Sequence, residues 1–110
     1  PVACAVALKN IEIMQRERLV EKVNEFTGPA LARMLGKFKD HPLVGEVRSV
    51  GMLGAIELVA NRRTRGRFVD AGRVGTICRN HFSREGFIMR AIGDTMVTAP
   101  PLIFNQEHFD

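Results

Sequence analysis

The chain has 110 residues, enough for one domain with a single adequate core. Its 45% hydrophobic and 25% charged residues exclude a disordered polyelectrolyte, and its net charge of +4 comes without any Trp or Tyr to stack on bases, which disfavours nucleic-acid binding. No apolar run reaches the length of a membrane span and no secretory signal is recognisable, so no membrane partner is expected and the cytoplasm is the default compartment.

Pro1-Val2-Ala3-Cys4-Ala5-Val6-Ala7-Leu8 reads as the first turns of a buried helix that continues to about residue 15, and a first-turn proline forfeits no hydrogen bond. Leu19, Val23, Phe26, Ala30, Met34 and Phe38 then recur at three- and four-residue steps, opposite Glu17, Glu21, Glu25, Arg33 and Lys37. That pattern predicts a long amphipathic helix packed on a sheet. Within it, Gly28-Pro29 predicts a kink near Glu25–Pro29, because proline lacks the amide proton and its ring crowds the carbonyl four residues back. Asp40-His41-Pro42 stops the helix.

From Val44 to Ala60 the apolar positions suit two short strands joined near Gly51-Met52, where glycine supplies the positive φ of a tight hairpin. Asn61–Arg67, with Arg62, Arg63, Arg65 and Arg67, reads as a solvated loop. Residues 70–85 return to helical spacing, with Val74, Ile77, Cys78 and Phe82 as the apolar side and Gly86 in the terminating position. Phe87–Arg90 and Thr95–Ala99 read as two more strands around a turn at Gly93-Asp94, whose role is assigned to turn geometry alone. Pro100-Pro101 then leads the chain out of the sheet. Asn105–Asp110 resembles an N-cap and first helical turn. Both termini read as cut. The expected fold is α+β: a long kinked amphipathic helix and a shorter one against a small, mainly antiparallel sheet.

The chemistry legible in these residues is sparse. Cys4 and Cys78 lie in apolar helical patterns and are expected to be buried free thiols, and His41, His81 and His108 have no metal-ligand spacing. Glu57 is assigned a structural place on the solvent side of its strand. Lys9, Lys22, Lys37 and Lys39 sit among polar neighbours, without the desolvated setting that activates an amine. The candidate binding residue is Arg90, at a strand end beside a turn, since a planar guanidinium donates two parallel hydrogen bonds to a carboxylate or phosphate. Read this far, the residues leave open a basic module for RNA or phosphorylated ligands, and a structural or dimerisation domain.

Four segments in order carry a resemblance: Pro1 to Leu8, Gly28-Pro29, Val47-Arg48-Ser49-Val50-Gly51-Met52-Leu53-Gly54-Ala55-Ile56-Glu57-Leu58, and Gly86-Phe87-Ile88-Met89-Arg90 with Gly93-Asp94 and Ala99-Pro100-Pro101-Leu102. Together they resemble the C-terminal part of class III aminotransferases, the pyridoxal-phosphate enzymes of fold type I that include the ω-transaminases. The resemblance implies that residues 1–110 are the small, substrate-capping C-terminal domain of a larger homodimeric enzyme. That enzyme would move an amino group between an amine or ω-amino acid and a keto acid such as pyruvate. It further implies that Arg90 grips the substrate carboxylate and swings aside for an uncharged amine. The family's Schiff-base lysine and its other cofactor ligands match nothing here. This stretch alone is therefore expected neither to hold pyridoxal phosphate tightly nor to transaminate, and no catalytic, cofactor-binding or metal residue is assigned in it.

Overall fold

Alternation along four short strands makes the surface on which the rest packs. A computed structural model describes residues 1–109. Strands β1 (Val44–Val50), β2 (Leu53–Leu58), β3 (Arg90–Ile92) and β4 (Thr95–Thr98) form one sheet in the order β1-β2-β4-β3. Every pairing is antiparallel. Because side chains alternate across a strand, the register sorts them into two faces. Val47, Ile56, Met96 and Ala91 form a row across one face, and Arg48, Ala55, Val97 and Arg90 form a row across the other. The turns are as expected: Gly51 (φ 54°) joins β1 to β2 and Gly93 (φ 58°) joins β3 to β4.

The described residues also form the helices α1 (Val2–Arg16), α2 (Leu19–Lys22), α3 (Gly28–Gly36) and α4 (Arg73–Arg84), with a 3-10 turn at Gln106–His108 near the end, and α3 and α4 cover the first of these faces. Leu31 and Leu35 of α3 meet Val44, Ile56, Met89 and Met96 in the core, and Cys78 and Phe82 of α4 pack at its border. Leu19, Val23 and Ala30 of the predicted stripe are buried and Met34 packs against the core, but Phe26 (63%) and Phe38 (46%) are exposed, so the stripe is covered only in part; the observed fold is α+β.

Four expectations are corrected. First, the long helix from Leu19 is not one regular helix. Arg18, with a left-handed backbone (φ 49°), separates α1 from α2 in the gap between the two helical stretches read from the sequence. At the predicted kink the backbone widens into a π turn over Val23–Thr27, with the Gly28 amide reaching back five residues to Val23 O. A π turn opens the helical ladder ahead of Pro29, whose ring cannot be accommodated beside a regular one.

Second, α1 buries none of its residues: Val2 is 78% and Leu8 69% exposed, because the helix extends away from the sheet and meets the rest of the fold chiefly at α2. Cys4 is accordingly exposed and not buried. Third, Phe87–Met89 is not strand. The Phe87 amide is taken by Phe82 O at 2.8 Å and the Gly86 amide by Ser83 O, which closes α4 with Gly86 at φ 80°. Phe87 also sets its ring 5.9 Å from that of Phe82. A backbone donor spent on a helix cap cannot also join a ladder, so β3 starts at Arg90. Fourth, the arginine-rich loop is not simply solvated, as its ion pairs below make plain.

Candidate functional site

Arg90 opens the edge strand β3 on the face of the sheet that carries no helix. Its side chain is exposed. Two arginines stand on strands, and they differ in company. Arg48 lies 3.9 Å from Glu46, whereas Arg90 takes part in none of the ion pairs among the described residues. Around Arg90 this face is low and largely apolar, with Val97 directly opposite, Ala55 beyond it, and Ile92 and Leu53 more than half exposed. The guanidinium therefore projects over an open sheet surface and does not sit in an enclosed cavity.

The turn after Arg90 is fastened by a contact that local reading missed. One carboxylate oxygen of Asp94 accepts the Gly72 amide at 2.8 Å, and the other accepts the Gly75 amide at 2.9 Å. Asp94 is thus more than a turn residue: it caps α4 from 19 to 22 residues away. The available signal was a deficiency. The stretch before α4 ends on Gly72 (φ 82°), which offers no side-chain cap, while the nearby Asp70 is paired with Arg73 at 2.9 Å. A helix without its own cap must be completed from elsewhere.

The arginine loop belongs to the same face of the sheet. Glu46 and Glu57 are register partners, and like charges directly opposite repel. Arg65 reaches both, at 2.7 Å and 2.6 Å, which neutralises the pair and ties the loop to β1 and β2. Glu46 and then Glu57, accepting its hydrogen bonds, push the Arg65 pKa up. Arg62 pairs with Asp40 at 3.0 Å. Two of the four loop arginines are thus engaged by carboxylates of the same chain, which removes much of the case for a phosphate-binding loop. Glu57 has the structural role expected of it.

The residues present do not fit a pyridoxal-phosphate site. Imine formation needs a desolvated lysine facing a cleft. Lys9 is exposed and paired with Glu12, Lys22 donates to Ile103 O, and Lys37 and Lys39 are exposed at the end of α3 and just beyond it. An apolar recess of about 450 Å³ between α3, α4 and the sheet is lined by Met34, Phe38, Phe82 and Met89, with Cys78 among them, and has no lysine or arginine in its lining. Among the described residues no cluster of His, Cys, Asp and Glu is placed to hold a metal, and no helix is long and apolar enough to cross a membrane.

The two thiols should differ sharply in reactivity. Burial, with the negative charge of Asp94 adding to it, pushes the Cys78 thiol up, so at any given pH less of it is thiolate. Cys4 is open to solvent. Iodoacetamide at pH 8 should alkylate Cys4 about tenfold faster or more. Peptide mass spectrometry over time checks this, and equal rates would show that the packing around Cys78 is loose.

Comparison with known proteins places this geometry. A family model described as aminotransferase class-III matches residues 1–110. The chain is 53% identical over 110 residues to a putrescine–pyruvate aminotransferase of Pseudomonas aeruginosa, covering all of this chain and 24% of that protein. It is 34% identical to the mitochondrial gamma aminobutyrate transaminase 1 of Solanum lycopersicum, covering all of this chain and 21% of that one. Its fold superimposes on the omega transaminase of Pseudomonas jessenii, solved in complex with PMP, with a TM-score of 0.93 and 40% identity over 99% of this chain and 24% of that one. The chain thus spans about a quarter of the length of these relatives.

Proposed function

Because the chain belongs to the class-III aminotransferase family, we propose that these residues form the small, substrate-capping C-terminal domain of such an enzyme, and that Arg90 receives the substrate carboxylate. The observation that carries the reading is the standing of Arg90: a guanidinium without a carboxylate partner among the described residues, at the start of an edge strand, on the helix-free face of the sheet. Its donors meet no acceptor side chain among the described residues. It can meet a carboxylate with two parallel hydrogen bonds, and once the face is covered by other parts of the enzyme the pair gains strength from the loss of water. When an uncharged amine occupies the same space, the long side chain can turn outward, because nothing on β3 pairs with it.

The reaction assigned to the enzyme is amino-group transfer from an amine or ω-amino acid to a keto acid such as pyruvate. The name of the 53% identical relative supports this choice of partners. Pyridoxal phosphate supplies the electron sink in this chemistry. The lysines here do not fit it, so its binding residues are assigned to other parts of the polypeptide, and residues 1–110 alone are inactive. We place the enzyme in the cytoplasm as a homodimer. The complete polypeptide carrying this segment, supplied with pyridoxal phosphate, a diamine and pyruvate, should form alanine. Failure to aminate any keto acid from a panel of diamines and ω-amino acids would overturn the assignment.

A further inference from the structure

We propose that Asp94 is the positioning residue for Arg90, acting by riveting the β3–β4 turn to the N-terminus of α4; the inference rests on Arg90 being the carboxylate receiver. Strand β3 is three residues long, lies at the edge of the sheet and pairs on one side only, with β4. So short an edge strand has few ladder bonds, and its direction is soft unless something else holds it.

Asp94, four residues after Arg90, supplies that hold. Its two oxygens take the amides of Gly72 and Gly75, and a carboxylate there also meets the positive end of the helix dipole. The contact is backbone to backbone as well. A Cβ on Gly75 would fall on the Gly93 carbonyl oxygen and stand 3.1 Å from the Asp94 Cα, so only glycine lets helix and turn come so close. At its other end, α4 closes through Gly86 and Phe87 directly into the segment that leads to Arg90. The Arg90 backbone is therefore tied to one rigid helix on both sides, upstream through the helix cap and downstream through Asp94. Its side chain can turn while its Cα stays in place.

The test uses the complete enzyme with pyruvate and with a carboxylate-free amine followed in its own half-reaction. A small misplacement of a substrate-binding group is enough to be felt, so Asp94→Ala should raise the KM for pyruvate about tenfold while the amine half-reaction changes by no more than about twofold. Asp94→Asn, which keeps one acceptor oxygen, should fall between. The double variant Arg90→Ala/Asp94→Ala should be no worse with pyruvate than Arg90→Ala alone, because there is no longer a guanidinium to misplace. Equal losses on both substrates, adding to those of Arg90→Ala, would mean a purely structural role and overturn the inference. So would an unchanged pyruvate KM in Asp94→Ala where Arg90→Ala is strongly impaired. If Arg90→Ala itself leaves the pyruvate KM unchanged, the reading of Arg90 fails and takes the inference with it. Should Asp94→Ala not fold, Asp94→Asn carries the same comparison.

Discussion

Arg90→Ala in the complete enzyme should lower kcat/KM for pyruvate about a hundredfold. Two charge-assisted hydrogen bonds are lost, together worth about 3 kcal/mol in a water-poor site, and each 1.4 kcal/mol is about tenfold in rate. The half-reaction of a simple hydrophobic amine should change by no more than about twofold, because that substrate brings no anion to the guanidinium. Arg90→Lys separates charge from shape. It keeps the positive charge but not the planar fork, so it should recover only part of the loss. The measurement is steady-state kinetics on both substrate classes. A uniform fall across carboxylate-bearing and carboxylate-free substrates would show that Arg90 supports the edge strand and does not recognise substrate.

Gly75→Ala should be among the most destabilising single-methyl changes in this fold. At an ordinary helical position the change to alanine gains up to about 1 kcal/mol of helix propensity. Here the added methyl meets the Gly93 carbonyl oxygen, and backbone cannot step aside as a flexible side chain would. Helix α4 must retreat from the turn and surrender both Asp94 hydrogen bonds. Overpacking costs about 1–3 kcal/mol and loss of a cap about 1 kcal/mol, so the clash outweighs the propensity. Gly36→Ala is the control: nothing lies within 4 Å of its position, at the end of α3. Thermal unfolding of the two variants should move in opposite directions, with Gly75→Ala melting roughly 10 °C lower than the parent. Melting temperatures that agree would mean that the turn is not pressed against the helix.

Elements with a period of their own were legible. The stripe from Leu19 to Phe38 and the spacing of Val74, Cys78 and Phe82 gave away helices, because one helical turn is only three or four residues and its signal is contained in the same stretch of chain. Gly51, Gly86 and Gly93 marked the places where positive φ was needed, and all three have it. The misreadings fell where one group had two possible partners. Phe87 could extend β3 or cap α4, and the hydrogen bond from its amide to Phe82 O decides for the cap. The apolar first turns of α1 looked buried, but hydrophobicity does not name the surface that would cover them, and none of these residues does so.

The amino-acid order by itself determined the kinds of elements, the places of the turns and the family resemblance, all of which reside in short-range spacing or in segments matched piece by piece. Only the tertiary structure decided which face of the sheet Arg90 stands on, that Asp94 completes α4, and that Arg65 joins Glu46 to Glu57. The physical reason is distance along the chain. Local propensity acts over a turn or two, whereas these hydrogen bonds and ion pairs link residues 8 to 22 positions apart and exist only once the strands have paired and the helices have docked.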